Sequence, residues 1–180
     1  MTSPTPLDLI KIQALVAGFN TTASLVASDQ GETVGENGNS LGLGNSTDLA
    51  LLKALRRKSR LVLTSGATFR ADQYRFPLNT DLAVLSRSSV TIEVPKGQRF
   101  HLLQDGYLSA LQLMNKQYQT IHVEFGERGI SELISARALD ALLLSSIEPS
   151  GVELLAKRLG VTYFGFELEN LFIGLVAWQQ

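Results

Sequence analysis

Short apolar runs along the chain alternate with stretches in which apolar residues recur every three or four positions. Residues 21–28, TTASLVAS, are β-branched and apolar and predict a first strand. Leu61-Val62-Leu63, residues 82–85 (LAVL), 120–124 and 139–147 read as further strands. Between them Leu49, Leu52 and Leu55 space an apolar helix stripe. Tyr107, Leu108, Leu111, Met114 and Tyr118 share a second helical face, and Ile130, Leu133 and Ile134 mark a third. Residues 90–94 alternate apolar and polar as a short strand stopped by Pro95, and residues 151–159 predict one more helix. Residues 7–17 fit a helix face through Leu9, Ile12, Leu15 and Val16, although Ile10, Ile12 and Val16 also suit a strand; the reading leans to helix. Residues 161–178, broken at Glu169-Asn170, predict a closing antiparallel hairpin. Alternation of strand and helix from 49 to 147 predicts an α/β sheet that is at least partly parallel.

The polar interruptions then locate candidate chemistry. Residues 29–45 form a long glycine-rich polar segment without apolar periodicity, a length that in compact domains marks either a functional or a mobile surface loop. Neither GxGxxG nor GxxxxGK[ST] occurs in it. Asn45-Ser46-Thr47-Asp48 supplies side-chain oxygens for a helix start, and Arg56, Arg57 and Lys58 complement the C-terminal dipole of the same helix. The strand at Leu61 then breaks into Ser65-Gly66-Ala67 and onward to Thr68 and Asp72, where ligands sit in open α/β sheets.

Composition bounds the function classes. The chain has 180 residues, 44% hydrophobic and 18% charged, which fits one globular domain over 1–180 with a loose Thr/Ser/Pro tail at 1–6. A net charge of −1 argues against nucleic acid as a partner. Absence of cysteine excludes disulfides, thiolate metal sites and cysteine nucleophiles, and His101 and His122 lack metal-ligand spacing, so no metal is expected. No apolar run approaches a membrane span and the N-terminus lacks signal-peptide regions, so a cytoplasmic protein without a membrane partner is expected.

Leu55-Arg56 followed by LVLTSGATFRAD resembles the NADPH-dependent pyrimidine reductase of bacterial riboflavin biosynthesis, the C-terminal half of the bifunctional deaminase-reductase. VASDQG at 26–31 is similar to that family's first-strand SLDG, and GNSLGLGNSTD at 38–48 to its substrate loop and helix cap. VEFG at 123–126 and ALDALLL at 138–144 resemble its VEGGP and LVDEL segments, so the likeness runs in order over about residues 22–149. It implies a single-domain dihydrofolate-reductase-like fold with a mostly parallel central sheet, flanking helices and an antiparallel C-terminal hairpin. It also implies a homodimer, for which the hairpin is the candidate pairing element.

Carried over by position, the resemblance assigns Gly42, Gly66, Ala67, Thr68 and Asp72 to the nicotinamide nucleotide, with Ser86-Arg87 as the grip on an adenosine phosphate. Gly126 opens the segment that cradles cofactor phosphates at a helix N-terminus. Ser40 and Arg56 fall at positions that hold the phosphoribosyl part of a small-molecule substrate, and Glu124 at a substrate-contacting, candidate catalytic carboxylate. The implied activity is NADPH-dependent reduction of a ribosylamino-pyrimidine or related heterocycle, of the 5-amino-6-(5-phosphoribosylamino)uracil reductase type. The alternative is a non-catalytic or repurposed ligand-binding protein on the same fold.

Independently of the resemblance, polar residues at the ends of three strands, 65–72, 86–88 and 124–128, share one sheet edge if those strands run parallel. Each has a rival structural role: Thr68 and Asp72 as caps of a short helix, Arg87 as a surface charge, Glu124 as an exposed strand end. Three places depart from the family pattern, the first being the basic residue expected after the Thr/Asp turn, where Arg75 is nearer than expected and Asn79 is neutral. Gln30 replaces the carboxylate before Gly31, and Glu127 brings a negative charge to the helix end expected to meet phosphate, with Arg128 beside it.

Overall fold

The computed structural model describes Ala14 and residues 16–178, so the tail 1–6 and nearly all of the helix predicted over 7–17 lie outside the described residues. The strands are β1 Thr21–Ala27, β2 Leu61–Ser65, β3 Asp81–Leu85, β4 Phe100–Leu103, β5 Ile121–Glu124, β6 Ala141–Ser146, β7 Phe164–Leu168 and β8 Leu171–Ala177. The helices are α1 Ser46–Lys58, α2 Gly66–Ala71, α3 Tyr107–Asn115, α4 Glu127–Ser135 and α5 Pro149–Leu159.

All eight strands form one sheet in the order β4-β3-β2-β5-β1-β6-β8-β7. Pairings from β4 to β6 are parallel, whereas β8 runs antiparallel to both β6 and β7, which makes the predicted C-terminal hairpin. Every residue of β2, β5 and β6 is buried, as expected of central strands covered on both faces. Strand alternation then sorts the core. Leu61, Leu63, Val123, Leu142 and Leu144 pack with Leu111 of α3, Ile130 and Leu133 of α4 and Leu155 of α5. Leu143 and Ile173 pack on the other face against Leu51 and Leu55 of α1.

Helix ends follow local chemistry. Asn45 caps α1 by accepting from the Thr47 and Asp48 N–H groups, and Arg56, Arg57 and Lys58 occupy its last turn. Its buried line, however, is Thr47, Leu51, Ala54 and Leu55; Leu49 of the predicted stripe is 48% exposed. The small-residue turn after β2 is a short helix, α2, capped by the Ser65 hydroxyl on Thr68 N.

Residues 90–94 are not a strand. The free edge of β3 is taken by β4, with Leu82 opposite Phe100, which leaves 90–94 no ladder to join. Val90 and Ile92 instead pack against Val62, Leu82 and Val84. Phe100-His101-Leu102-Leu103 sits on a half-exposed edge and lacks the apolar signature of a central strand, so this strand is not evident from the sequence pattern.

Connections through the sheet create a cleft. β1 reaches β2 through α1, crossing β5 on one face, while β5 reaches β6 through α4, crossing β1 on the other. Connections leaving neighbouring strands toward opposite faces open a crevice at the strands' carboxyl ends.

Close packing of α5 against β1 and β6 depends on Gly151, where a Cβ would run into the Ser28 carbonyl oxygen and the Ser146 hydroxyl. Gly151→Ala is expected to cost about 1–3 kcal/mol by overpacking, read as a lower urea midpoint at unchanged slope.

Candidate functional site

The crevice holds a cavity of about 410 Å³ whose walls come from the ends of β1, β2, β5 and β6, from α1, from the 33–40 loop and from the first turn of α4. Leu51, Leu52 and Leu55 give the α1 wall an apolar surface, with Asp48 and Arg56 on the same helix.

Arg56 and Glu124 form an ion pair in the cavity wall. Arg56 Nε donates to Glu124 Oε1 at 2.6 Å and Nη2 to Oε2 at 2.7 Å, a bidentate fork. Tyr74 OH donates to Oε2 at 2.7 Å, and the Arg56 guanidinium lies 4.7 Å from the centre of the Tyr74 ring. Thr64 Oγ1 donates to the Glu124 carbonyl at 3.0 Å, which fixes the strand end itself. Burial pushes the Glu124 carboxyl up, but the hydrogen bonds and charge of Arg56 outweigh it and hold the group below its ordinary value. Burial, reinforced by the Glu124 charge, pushes Tyr74 well above the usual phenol range, so it stays a donor.

Beneath this cluster lies His122, fully buried, with Nδ1 3.0 Å from Thr22 Oγ1 and Nε2 3.2 Å from Ser24 Oγ. Its Nε2 is 3.9 Å from Glu124 Oε1. Burial lowers its pKa to about 4 despite Glu124, so the imidazole is neutral at physiological pH and bonds both hydroxyls through its one N–H and one lone pair.

Three further carboxylates line the cavity. Ser145 Oγ donates to Asp48 Oδ1 at 2.6 Å, and burial raises the Asp48 pKa more than that bond lowers it. Asp72 accepts from Ser40 N and Oγ at 3.4 Å, tying the glycine-rich loop to the end of α2. Glu127 is met by Arg158 of α5, with Nε at 2.6 Å and Nη2 at 2.8 Å; the same Nη2 donates to the Gly31 carbonyl. The cation that compensates Glu127 is therefore Arg158, and the neighbouring Arg128 stays exposed in the cavity wall with no ion pair among the described residues.

Of the residues singled out from sequence, Ser40, Arg56, Ala67, Thr68, Asp72, Glu124 and Gly126 come together around the cavity. Gly42, Gly66, Ser86 and Arg87 do not line it. Gly42 is exposed at φ 91°, and Gly66 packs against Ser86, where a Cβ would meet the serine side chain. Ser86 Oγ accepts from Ser88 N and Arg70 Nη1, and Arg87 is exposed at the strand end. Asp48, Ser145, Ser24 and His122 were not singled out as site residues. Asp48 carried a cap signal that explained it locally, and the inward serines announced themselves only as hydroxyls within apolar strands. Among the described residues no group of His, Asp and Glu is gathered to hold a metal ion, and no helix is long and apolar enough to cross a membrane.

A parallel sheet with an antiparallel C-terminal hairpin and a cleft at the β1/β5 crossing is the dihydrofolate-reductase-like fold, and comparison with solved structures bears this out. The chain superposes on a pyrimidine reductase-like protein of Corynebacterium diphtheriae with a TM-score of 0.62 at 16% identity, covering 98% of this chain and 96% of that one. It matches the deaminase/5-amino-6-(5-phosphoribosylamino)uracil reductase of Thermotoga maritima at TM-score 0.61 and 12% identity, over 94% of this chain and 59% of that one. Dihydrofolate reductase from Enterococcus faecalis, complexed with NADP(H), gives 0.54 at 16% identity, over 88% and 96%. No protein-family model and no curated protein sequence matches the chain. At these identities the likeness establishes the fold, and neighbours on that fold are reductases.

Two measurements test the buried cluster. Arg56→Met is expected to cost about 3–5 kcal/mol by stranding Glu124, and Arg56→Met combined with Glu124→Leu clearly less, as read from urea unfolding. An equal or larger loss in the double variant would contradict a buried ion pair at this position. Stability should also fall as pH drops from 6.5 to about 4, because the unfolded chain protonates His122 in that window and the folded chain does not. Glu124, with its folded pKa lowered, acts in the same direction. The His122 share is about 3 kcal/mol, and His122→Gln should flatten the thermal-stability profile across the same window.

Proposed function

We propose that the protein is an NADPH-dependent reductase acting on a ribosylamino-pyrimidine or a related heterocycle. The observation that carries this reading is the placement of a buried, charged Glu124 and an exposed, uncapped helix start at Gly126 in one cavity at the carboxyl edge of the sheet. The fold of solved pyrimidine reductases and of a dihydrofolate reductase complexed with NADP(H) supports it.

The donor set fits a dinucleotide. A Cβ at Gly126 would meet nothing within 4 Å, so the backbone there is open to a ligand, and no side chain caps α4. The bidentate bond from Arg158 offsets Glu127, which leaves Arg128 and the helix N-terminus to receive phosphate oxygens. Ala67, Thr68 and Asp72 would face the nicotinamide ribose, and Ser86-Arg87, outside the cavity, would hold the adenosine phosphate. Bound reduced nicotinamide would supply the hydride.

The chain's own part is orientation and proton placement. Glu124 is locked by Arg56 and Tyr74 and serves as a fixed negative pole. The Asp48 carboxylate, with its raised pKa and the Ser145 hydroxyl donating to it, is suited to accept hydrogen bonds from a reducible ring and to relay a proton along them. A homodimer through the β7–β8 hairpin belongs to the same reading, since β7 is an edge strand carrying the exposed Phe164.

Equilibrium titration with NADPH and NADH tests the proposal. The expected result is micromolar NADPH binding that weakens roughly tenfold on Arg128→Ala, through loss of a charge-assisted phosphate contact. Absence of binding by either nucleotide would overturn the reductase reading in favour of a repurposed binding protein.

A further inference from the structure

Building on the reductase reading, we infer that the substrate end of the cavity takes an unphosphorylated, N–H-bearing heterocycle and rejects its phosphate ester. The inference rests on which charges in the cavity are already spoken for.

Among the described residues the cavity is lined by two cations, Arg56 and Arg128. Arg56 has Nε and Nη2 engaged by Glu124 and its guanidinium carbon 4.7 Å from the centre of the Tyr74 ring. Only 22% of its side chain is exposed, and drawing it toward a substrate phosphate would leave Glu124 buried without its counter-charge. Arg128 belongs to α4, whose core contacts lie on the sheet face opposite that of α1. Ser40, the other expected phosphate anchor, gives its N–H and hydroxyl to Asp72.

The remaining groups favour donors. Asp48 lines the α1 wall without an ion pair among the described residues, and it accepts a hydrogen bond from Ser145 Oγ. A carboxylate accepts about four hydrogen bonds, so most of its capacity is open to the cavity. Asp72, at the end of α2, likewise has no ion pair among the described residues and accepts only from Ser40 there. A phosphate dianion brought to the α1 wall would face the Asp48 carboxylate in a partly desolvated site, a like-charge contact that costs affinity. Leu51, Leu52 and Leu55 on the same wall offer an apolar surface beside the Asp48 carboxylate. A planar ring with N–H groups along one edge satisfies both features, and a ring nitrogen bearing positive charge satisfies them better.

The test is calorimetric titration of the full chain with 5-amino-6-ribosylaminouracil and with its 5′-phosphate, each beside an NADPH titration of the same sample. The expected result is that the unphosphorylated compound binds roughly tenfold tighter or more, and that Asp48→Asn removes at least about tenfold of that affinity while NADPH affinity changes less than about twofold. Ser145→Ala, which keeps the carboxylate, should weaken the same compound by only about threefold and serves if Asp48→Asn does not fold. Equal or tighter binding of the phosphate ester, or unchanged affinity in both variants, overturns the inference. Binding of NADPH with neither pyrimidine bound overturns it too and spares the reductase reading. Binding of the unphosphorylated pyrimidine without NADPH does the reverse.

Discussion

Glu124 ends β5 with 8% of its side chain exposed, a position where an isolated carboxylate would give up its charge. It keeps that charge because Arg56 reaches it from the last turn of α1 and Tyr74 from beyond α2. Three segments distant in sequence are thereby pinned to one point at the mouth of the sheet. Truncating either charged partner leaves the other unpaired, so the cluster and the walls it joins stand or fall together. The polar layer continues beneath it through His122 to Thr22 and Ser24, so the α1 face of β1 and β5 is hydrogen-bonded where its neighbours are apolar.

Once Arg56 is committed to the frame, the cavity's remaining charges divide by wall. The α4 side offers an uncapped helix start and Arg128, suited to phosphate, with Glu127 offset by Arg158. The α1 side offers Asp48 and a leucine surface, suited to a ring that donates hydrogen bonds. This polarity fits a reductase that brings an anionic cofactor and an uncharged or cationic substrate into one crevice.

Much of the fold was legible because central strands and long helices write their burial into the sequence. Continuous apolar runs at β2 and β6 and the spacing of Leu111 and Met114 place those elements. The errors fell at the β3/β4 edge and on α1. Alternation at 90–94 is shared by an irregular segment that packs Val90 and Ile92 inward, and a periodic stripe at Leu49 could not reveal that Leu51 faces the core. For the site, strand ends and the family likeness led to Glu124, Thr68 and Asp72. What the linear chain could not display was pairing across space: Arg158 lies 31 residues from Glu127, and Arg56 lies 68 from Glu124. Read singly, Arg56 has the chemistry of a phosphate anchor, and the sequence gives no sign of the fork it makes to Glu124.

The account turns on Arg56 and Glu124 forming a permanent part of the cavity wall while ligand binds elsewhere in it. A crystal structure of the protein with NADPH and a pyrimidine ligand tests this most directly. The account predicts nucleotide phosphates at Gly126 and Arg128, the pyrimidine against Asp48, and the Arg56–Glu124 fork intact. A structure with Arg56 swung off Glu124 onto a ligand phosphate would contradict it.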